Sequence, residues 1–122
     1  MKPKILIVDD SSTMRQSVSF VLAEAGNEVI AASDGIDALK KLETTDSLDL
    51  ILTDINMPNL DGIGLIQKVR EMPKYKFIPI LVLTTESQGA KMKMGKDAGA
   101  TGWIVKPFTP DSLIGTVNKV LK

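Results

Sequence analysis

The 122-residue sequence predicts a single doubly wound α/β domain. The expected form is a (βα)5 unit: a five-stranded parallel sheet with helices on both faces. Three observations predict it. Short, near-continuous apolar runs occur five times along the chain, and such runs suit strands buried on both faces of a parallel sheet. Amphipathic helical patterns alternate with them, supplying the right-handed crossovers that parallel strands require. No repeat, linker or low-complexity stretch interrupts the alternation, so one domain over residues 1–122 is expected.

The first strand is "ILIV" (5–8), which runs into Asp9 and Asp10. In the helix after it, Met14, Val18, Val21, Leu22 and Ala25 fall on one face. Ser12 is the expected N-cap and Gly26 the residue past its end. The second strand is "EVIAA" (28–32); Asp34 can cap a helix that buries Ala38, Leu39 and Leu42. The third is "LDLILT" (48–53), followed by a helix capped by Asp61 that carries Leu65, Ile66 and Val69. The fourth is "PILVLT" (79–84) and the fifth "GWIV" (102–105). The last helix starts at "TPDS", with Thr109 as cap and Pro110 in the first turn. It buries Leu113, Val117, Val120 and Leu121.

The fourth helix, within "SQGAKMKMGKDAGA" (87–100), is the weak one. It has three glycines and no Leu, Ile, Val or aromatic residue, and its best apolar stripe is Ala90, Met94 and Ala98. Each interior glycine costs about 1 kcal/mol relative to alanine, so this helix is expected to be the least securely held.

Composition narrows the chemistry. Apolar residues make up 43% and charged residues 25%, an ordinary globular balance. No apolar run is long enough to span a bilayer, and no signal-peptide pattern follows "MKPK"; a cytoplasmic protein is expected. Cysteine and histidine are both absent. Chemistry must therefore run on carboxylates, hydroxyls, amides and lysine. The 15 basic and 15 acidic residues balance, but residues 88–122 hold 6 of the basic and only 2 of the acidic. This bias is too weak for a nucleic-acid footprint; it suits either a face for an acidic protein partner or a plain solvated surface.

The predicted strand ends carry Asp9 and Asp10 (first), Asp54 (third), Thr84 with Thr85 and Glu86 (fourth), and Lys106 (fifth). In a doubly wound sheet these ends share one crevice. Two unit charges about 4 Å apart interact by roughly 4 kcal/mol at an effective dielectric near 20, so three carboxylates there call for a cation, or some must take up protons. Lys106 offers one charge. Oxygen ligands open to water suit Mg²⁺, and a main-chain carbonyl just past Asp54 could complete the set. A hard cation beside a carboxylate, an amine and a hydroxyl is what phosphoryl transfer to aspartate requires.

With "ILIVDD", "LILTDINMPNLDG", "LVLTTE" and "GWIVKPF" in this order and spacing, the sequence resembles the receiver domains of two-component response regulators over essentially its whole length. Its "SSTMR", "NMPNLDG" and "KPFT" are most similar to the stand-alone chemotaxis regulators of that family. The resemblance implies the flavodoxin-like strand order 2-1-3-4-5. It implies Asp54 as phosphoacceptor and Mg²⁺ bound by Asp10, Asp54 and the Asn56 main-chain carbonyl, with Asp9 acting through metal-bound water. Lys106 would pair with the carboxylate and then the phosphoryl group, and Thr84 would move to bond it. The Lys106–Pro107 peptide would be cis. Trp103 takes the place of the family's switch Tyr or Phe; being larger, and with an N–H for the O–H, it strains the usual coupling to Thr84. Asn56 and Glu86 would tune hydrolysis of the acyl phosphate, giving a lifetime of seconds to a few minutes.

With no histidine of its own, the chain would take its phosphoryl group from a histidine kinase. It would act on a separate protein, foremost a flagellar motor switch protein, with a phosphatase as a further partner; a monomer without an output domain is expected. The expected binding face is the fourth helix, the fifth strand and the last helix, with Lys91, Lys93, Lys96, Lys119 and Lys122. A phosphorelay intermediate or phosphate sink would use the same chemistry. Two readings from other classes compete. An FMN-binding electron carrier needs a hydroxyl- and glycine-rich loop where Asp9 and Asp10 stand. An aspartyl-phosphate hydrolase needs a second Asp two positions after the first on its first strand, whereas "VDDSS" has them adjacent.

Overall fold

The computed structural model describes residues 2–84 and 89–121, the side chains of Thr84 and residues 89–91 excepted. The elements alternate in order: β1 (Lys4–Val8), α1 (Ser12–Glu24), β2 (Glu28–Ala32), α2 (Gly35–Thr44), β3 (Leu50–Thr53) and α3 (Gly62–Glu71). A 3-10 turn (Pro73–Tyr75), β4 (Ile80–Thr84), α4 (Gly89–Ala98), β5 (Gly102–Val105) and α5 (Pro110–Leu121) complete them. The sheet runs β2-β1-β3-β4-β5, and every pairing is parallel. This is the predicted fold class. No helix of the described residues is long and apolar enough to cross a membrane.

Alternation along the inner strands divides the core in two. Ile5, Ile7, Leu50, Leu52, Leu81 and Leu83 face α1 and α5, meeting Val18, Leu22, Leu113 and Val117. Leu6, Val8, Ile51, Ile80 and Val82 face α2 and α3, meeting Ala38, Leu42, Leu65, Ile66 and Val69. The edge strands β2 and β5 are only half-buried. Full burial of each large aliphatic side chain contributes about 1.5–3 kcal/mol, so the two layers hold the strand ends rigidly.

Strand starts differ slightly from expectation. β3 begins at Leu50, not Leu48, because the Asp49 carboxylate accepts the Lys4 N–H at 2.8 Å. β4 begins at Ile80 because Pro79 has no N–H to pair.

Helix caps explain most boundaries. The N-cap of α1 is Ser11, one residue before the expected Ser12: its hydroxyl accepts the Met14 N–H. Asp9 Oδ1 takes the Ser11 N–H at 2.9 Å, which holds Ser11 extended and turns its side chain onto the helix end. Gly26, at φ +96°, closes the other end, with Gly26 N–H on Ala23 and Asn27 N–H on Leu22. Ala25, expected on the buried face, is exposed there. Asp61 caps α3 as expected. At α5, Thr109 Oγ1 and Ser112 Oγ each accept the other's N–H at 3.0 Å.

Asp34 caps α2 as predicted, accepting the Asp37 N–H. That bond, with one from Asn59 Nδ2, holds the Asp34 carboxyl below the usual aspartate range. The Ser33 N–H does the same for Asp37, aided by Lys41. Groups depressed on folding stabilise the helix above their unfolded values and lose that effect as pH falls through the folded ones. The amide signals of α2 are therefore expected to shift below about pH 4, before the core unfolds; an NMR titration checks this, and α2 signals that move only with global unfolding would contradict it.

The fourth helix departs from its predicted stripe. Met94 is half exposed, whereas Gly95 is buried and Ala98 half-buried; Ala90 lies outside the described side chains. The cause is Trp103: a Cβ on Gly95 would stand 2.8 Å from its Cζ3, so only glycine lets α4 pack on the indole. The helix ends at Gly99, φ +115°, whose carbonyl accepts Arg70 Nε at 3.1 Å and Nη2 at 2.7 Å. Burial lowers the Arg70 pKa. With one glycine and one alanine on its inner face, α4 buries little apolar area. Hydrogen exchange is expected to show amides 93–98 less protected than amides 18–24; equal protection would overturn this.

Candidate functional site

The register of the sheet builds the site. Val8 pairs with Thr53, so the next residues, Asp9 and Asp54, leave adjacent strands side by side. The Asp54 N–H donates to the Val8 carbonyl at 3.0 Å, which locks that alignment one residue beyond the strands. Thr84 pairs with Val105, so Lys106 leaves β5 at the same end of the sheet. Its long side chain crosses the end of β4. The ammonium lies 3.2 Å from Asp9 Oδ2 and 3.2 Å from Asp54 Oδ2.

Asp9 is 2% exposed and fully engaged. Its N–H donates to Ala32, Oδ1 accepts the Ser11 N–H, Oδ2 accepts Lys106, and its carbonyl accepts Arg15 Nη1 at 2.6 Å. Asp54 Oδ1 accepts the Ile55 N–H at 2.7 Å, and its carbonyl accepts the Thr53 hydroxyl at 2.9 Å. Asp10 is exposed at the rim. Carboxylate oxygens of Asp9, Asp10 and Asp54 lie within 4.8 Å of one another.

Three carboxylates against one ammonium leave two formal negative charges in a small volume. An all-oxygen donor set with one acid open to solvent fits a hard divalent cation such as Mg²⁺, which takes one or two carboxylates and keeps several waters. The cluster so brought together holds Asp9, Asp10, Asp54 and Lys106.

The remaining predicted residues stand around it. Asn56 is exposed, two residues past Asp54. Thr84 closes β4, its side chain outside the described set, and Glu86 lies outside the described residues. Trp103 pairs with Val82 and is half-buried against Gly95. The Lys106–Pro107 peptide is cis.

Two contributors went unnoticed in the sequence. Gly62 opens α3 directly behind Asp54: a Cβ there would overlap the Asp54 carbonyl oxygen and stand 2.8 Å from Ile55 Cα. Two glycines in the first turn of one helix, Gly62 and Gly64, were its signal, because they mark close backbone approach. Arg15 was the other. A cation near a helix N-terminus, where the dipole disfavours positive charge, was its signal.

A family model for the response regulator receiver domain matches residues 5–118. The chain is 41% identical to the chemotaxis protein CheY1 of Helicobacter pylori, over 97% of this chain and 96% of that one. The structure of the chemotaxis protein CheY4 of Vibrio cholerae superposes with a TM-score of 0.94 at 47% identity, covering 98% of this chain and 99% of that one. The receiver domain of a sensor histidine kinase from Pseudomonas aeruginosa, described with a magnesium ion coordinated in its active-site cleft, gives 0.91 at 26% identity, covering 99% and 98%. Sequence and architecture thus agree over nearly the full length of each chain, and this protein belongs to the response regulator receiver family, in its CheY-like chemotaxis branch.

Proposed function

We propose that Asp54 accepts a phosphoryl group from a histidine kinase and that the phosphorylated chain, a single domain over residues 1–122, signals to a separate protein. The observation that carries this is the Lys106 ammonium held 3.2 Å from both Asp9 and Asp54 beside the open carboxylate of Asp10. An Asp54 carboxylate oxygen attacks phosphorus. The new O–P bond forms as the donor's N–P bond breaks, and the departing imidazole nitrogen takes a proton from solvent. Lys106 is placed to follow the charge from carboxylate to phosphoryl oxygen. Asp10, Asp54 and the Asn56 carbonyl would hold Mg²⁺, with Asp9 reaching it through water; bound there, the ion neutralises charge on the phosphoryl oxygens. Thr84 would donate to a further oxygen. Asn56 and Glu86 would govern attack by water, giving a lifetime of seconds to a few minutes.

Output would leave through α4, β5 and α5. A groove of about 430 Å³ runs beside Trp103, lined by Met92, Lys93, Lys96, Ala100 and Gly102. Met94 and Val105 are exposed nearby in sequence, and Lys119 is exposed on α5. Lys91 and Lys122 belong to the same proposed face but fall outside the described side chains. Apolar surface ringed with lysine suits an acidic, partly apolar segment. The chemotaxis likeness points to a flagellar motor switch protein. Phosphorylation would act by population shift, with Trp103 as the element that α4 reads.

The test uses purified protein with a small acyl phosphate. Intact mass is expected to rise by one phosphoryl group only when Mg²⁺ is present, and Trp103 emission to change with it. Capture of a motor switch protein is expected to strengthen in the presence of a phosphoryl mimic. No uptake would overturn the acceptor reading. Unchanged emission would remove Trp103 as a switch, and equal affinity of both forms would overturn the signalling reading.

A further inference from the structure

We infer that Arg15 is a positioning residue for cation binding, acting through the peptide that joins Asp9 to Asp10. The inference rests on the reading of the acidic cluster as a Mg²⁺ site. Arg15 sits in the N-terminal part of α1, yet its side chain turns back past the helix end, and Nη1 donates to the Asp9 carbonyl at 2.6 Å. Among the described residues no carboxylate pairs with it. It is thus not an ion-pair partner of the cluster but a donor to its main chain.

The carbonyl it holds is the one that matters for Asp10. The Asp9 C=O and the Asp10 N–H share one planar peptide unit, so fixing the oxygen fixes the plane from which Asp10 departs. The preceding peptide is already fixed by the Asp9 N–H on Ala32, and the Asp9 carboxylate by Ser11 and Lys106. Asp10 has no such support. It is exposed, and no hydrogen bond to a described residue holds its carboxylate. Yet it must present an oxygen within 4.8 Å of those of Asp9 and Asp54. Its backbone is what aims it: the Ser11 N–H on Asp9 holds the peptide after Asp10, and Arg15 holds the peptide before it.

Two effects of Arg15 oppose each other. As a positive charge near the cluster it repels a cation. As a donor it orders a ligand that otherwise samples several rotamers, and outer supports of this kind are typically worth 10- to 100-fold in metal affinity. The sign of the change on neutralising Arg15 therefore decides which effect governs. Ordering dominates, because the guanidinium bond is short and direct while the charge acts through a solvated rim.

Mg²⁺ titration calorimetry on the full chain tests this, with wild type, Arg15→Met and Arg15→Lys. Arg15→Met, which removes donor and charge together, is expected to raise Kd roughly tenfold. Arg15→Lys keeps a donor without the rigid fork and is expected to fall between. In an Asp10→Asn background the effect of Arg15→Met is expected to shrink below about twofold, since Arg15 acts through Asp10. An unchanged or tighter Kd for Arg15→Met, or an undiminished effect without Asp10, overturns the inference. So does a lowered Tm at unchanged Kd, which marks a purely structural role. If Arg15→Met does not fold, Arg15→Lys alone carries the test, and an unaltered Kd overturns it. A wild-type chain that shows no saturable Mg²⁺ binding overturns the metal reading beneath it; saturable wild-type binding with unaffected Arg15 variants overturns this inference alone.

Discussion

Asp54→Asn is expected to take up no phosphoryl group, with intact mass unchanged under conditions where the wild-type chain is fully modified. Three aspartates meet at the site, and the structure separates them. Asp9 is only 2% exposed, so its carboxylate is closed to an incoming donor. Asp10 stands at the exposed rim, and the Lys106 ammonium pairs with Asp9 and Asp54 instead. Asp54 alone combines a side chain 12% accessible with direct contact to the ammonium. Its other oxygen is restrained by the Ile55 N–H, so the carboxylate is aimed before a donor arrives. Asp10→Asn retains the proposed nucleophile and loses a proposed cation ligand; its uptake is expected to slow by roughly a hundredfold but to reach the same final mass. The distinction lies in the end point, not the rate. Uptake by Asp54→Asn at full stoichiometry would place the acceptor elsewhere.

The same contrast explains what could be read from the chain. Inner strands were legible because both of their faces are buried, so Ile5–Val8 and Ile80–Leu83 are apolar without alternation. The four groups of the cluster were legible because a parallel sheet brings all strand ends to one side, and a charged residue directly after such a strand has few other places to go. What escaped was set by backbone geometry between elements. Gly95 faces inward because Trp103, on the next strand, fills the space a side chain would need; no period within the helix encodes that. Ser11 rather than Ser12 caps α1 because Asp9 holds its N–H, a choice between two equally good capping residues. Arg15 and Gly62 serve the main-chain carbonyls of Asp9 and Asp54, and a carbonyl leaves no mark on composition.

Gly62→Ala is expected to be among the most damaging single substitutions in the chain, although it adds one methyl group and suits a helix. An alanine Cβ would collide with the Asp54 carbonyl oxygen and lie 2.8 Å from Ile55 Cα. Both are backbone atoms, so no side chain can rotate aside. The segment is tied from several directions: Gly62 N–H donates to the Ile55 carbonyl at 2.8 Å, and the Thr53 hydroxyl donates to the Asp54 carbonyl. Relief requires moving the start of α3 away from β3, which breaks the first bond and loosens Ile63 and Ile66 in the core. Overpacking of this kind costs about 3 kcal/mol, or roughly 10–15 °C in Tm for a domain of this size. Gly115→Ala is the control. It lies inside α5 with nothing within 4 Å of its added Cβ, so helix propensity acts alone and stability should rise by about 1 kcal/mol. Thermal unfolding of the two variants separates propensity from sterics: a Gly62→Ala protein as stable as wild type would mean that α3 is not seated against Asp54 as described. Below its lowered Tm, the folded variant is also expected to take up phosphoryl groups more slowly than wild type, because the collision falls on the peptide that carries Asp54, the proposed acceptor.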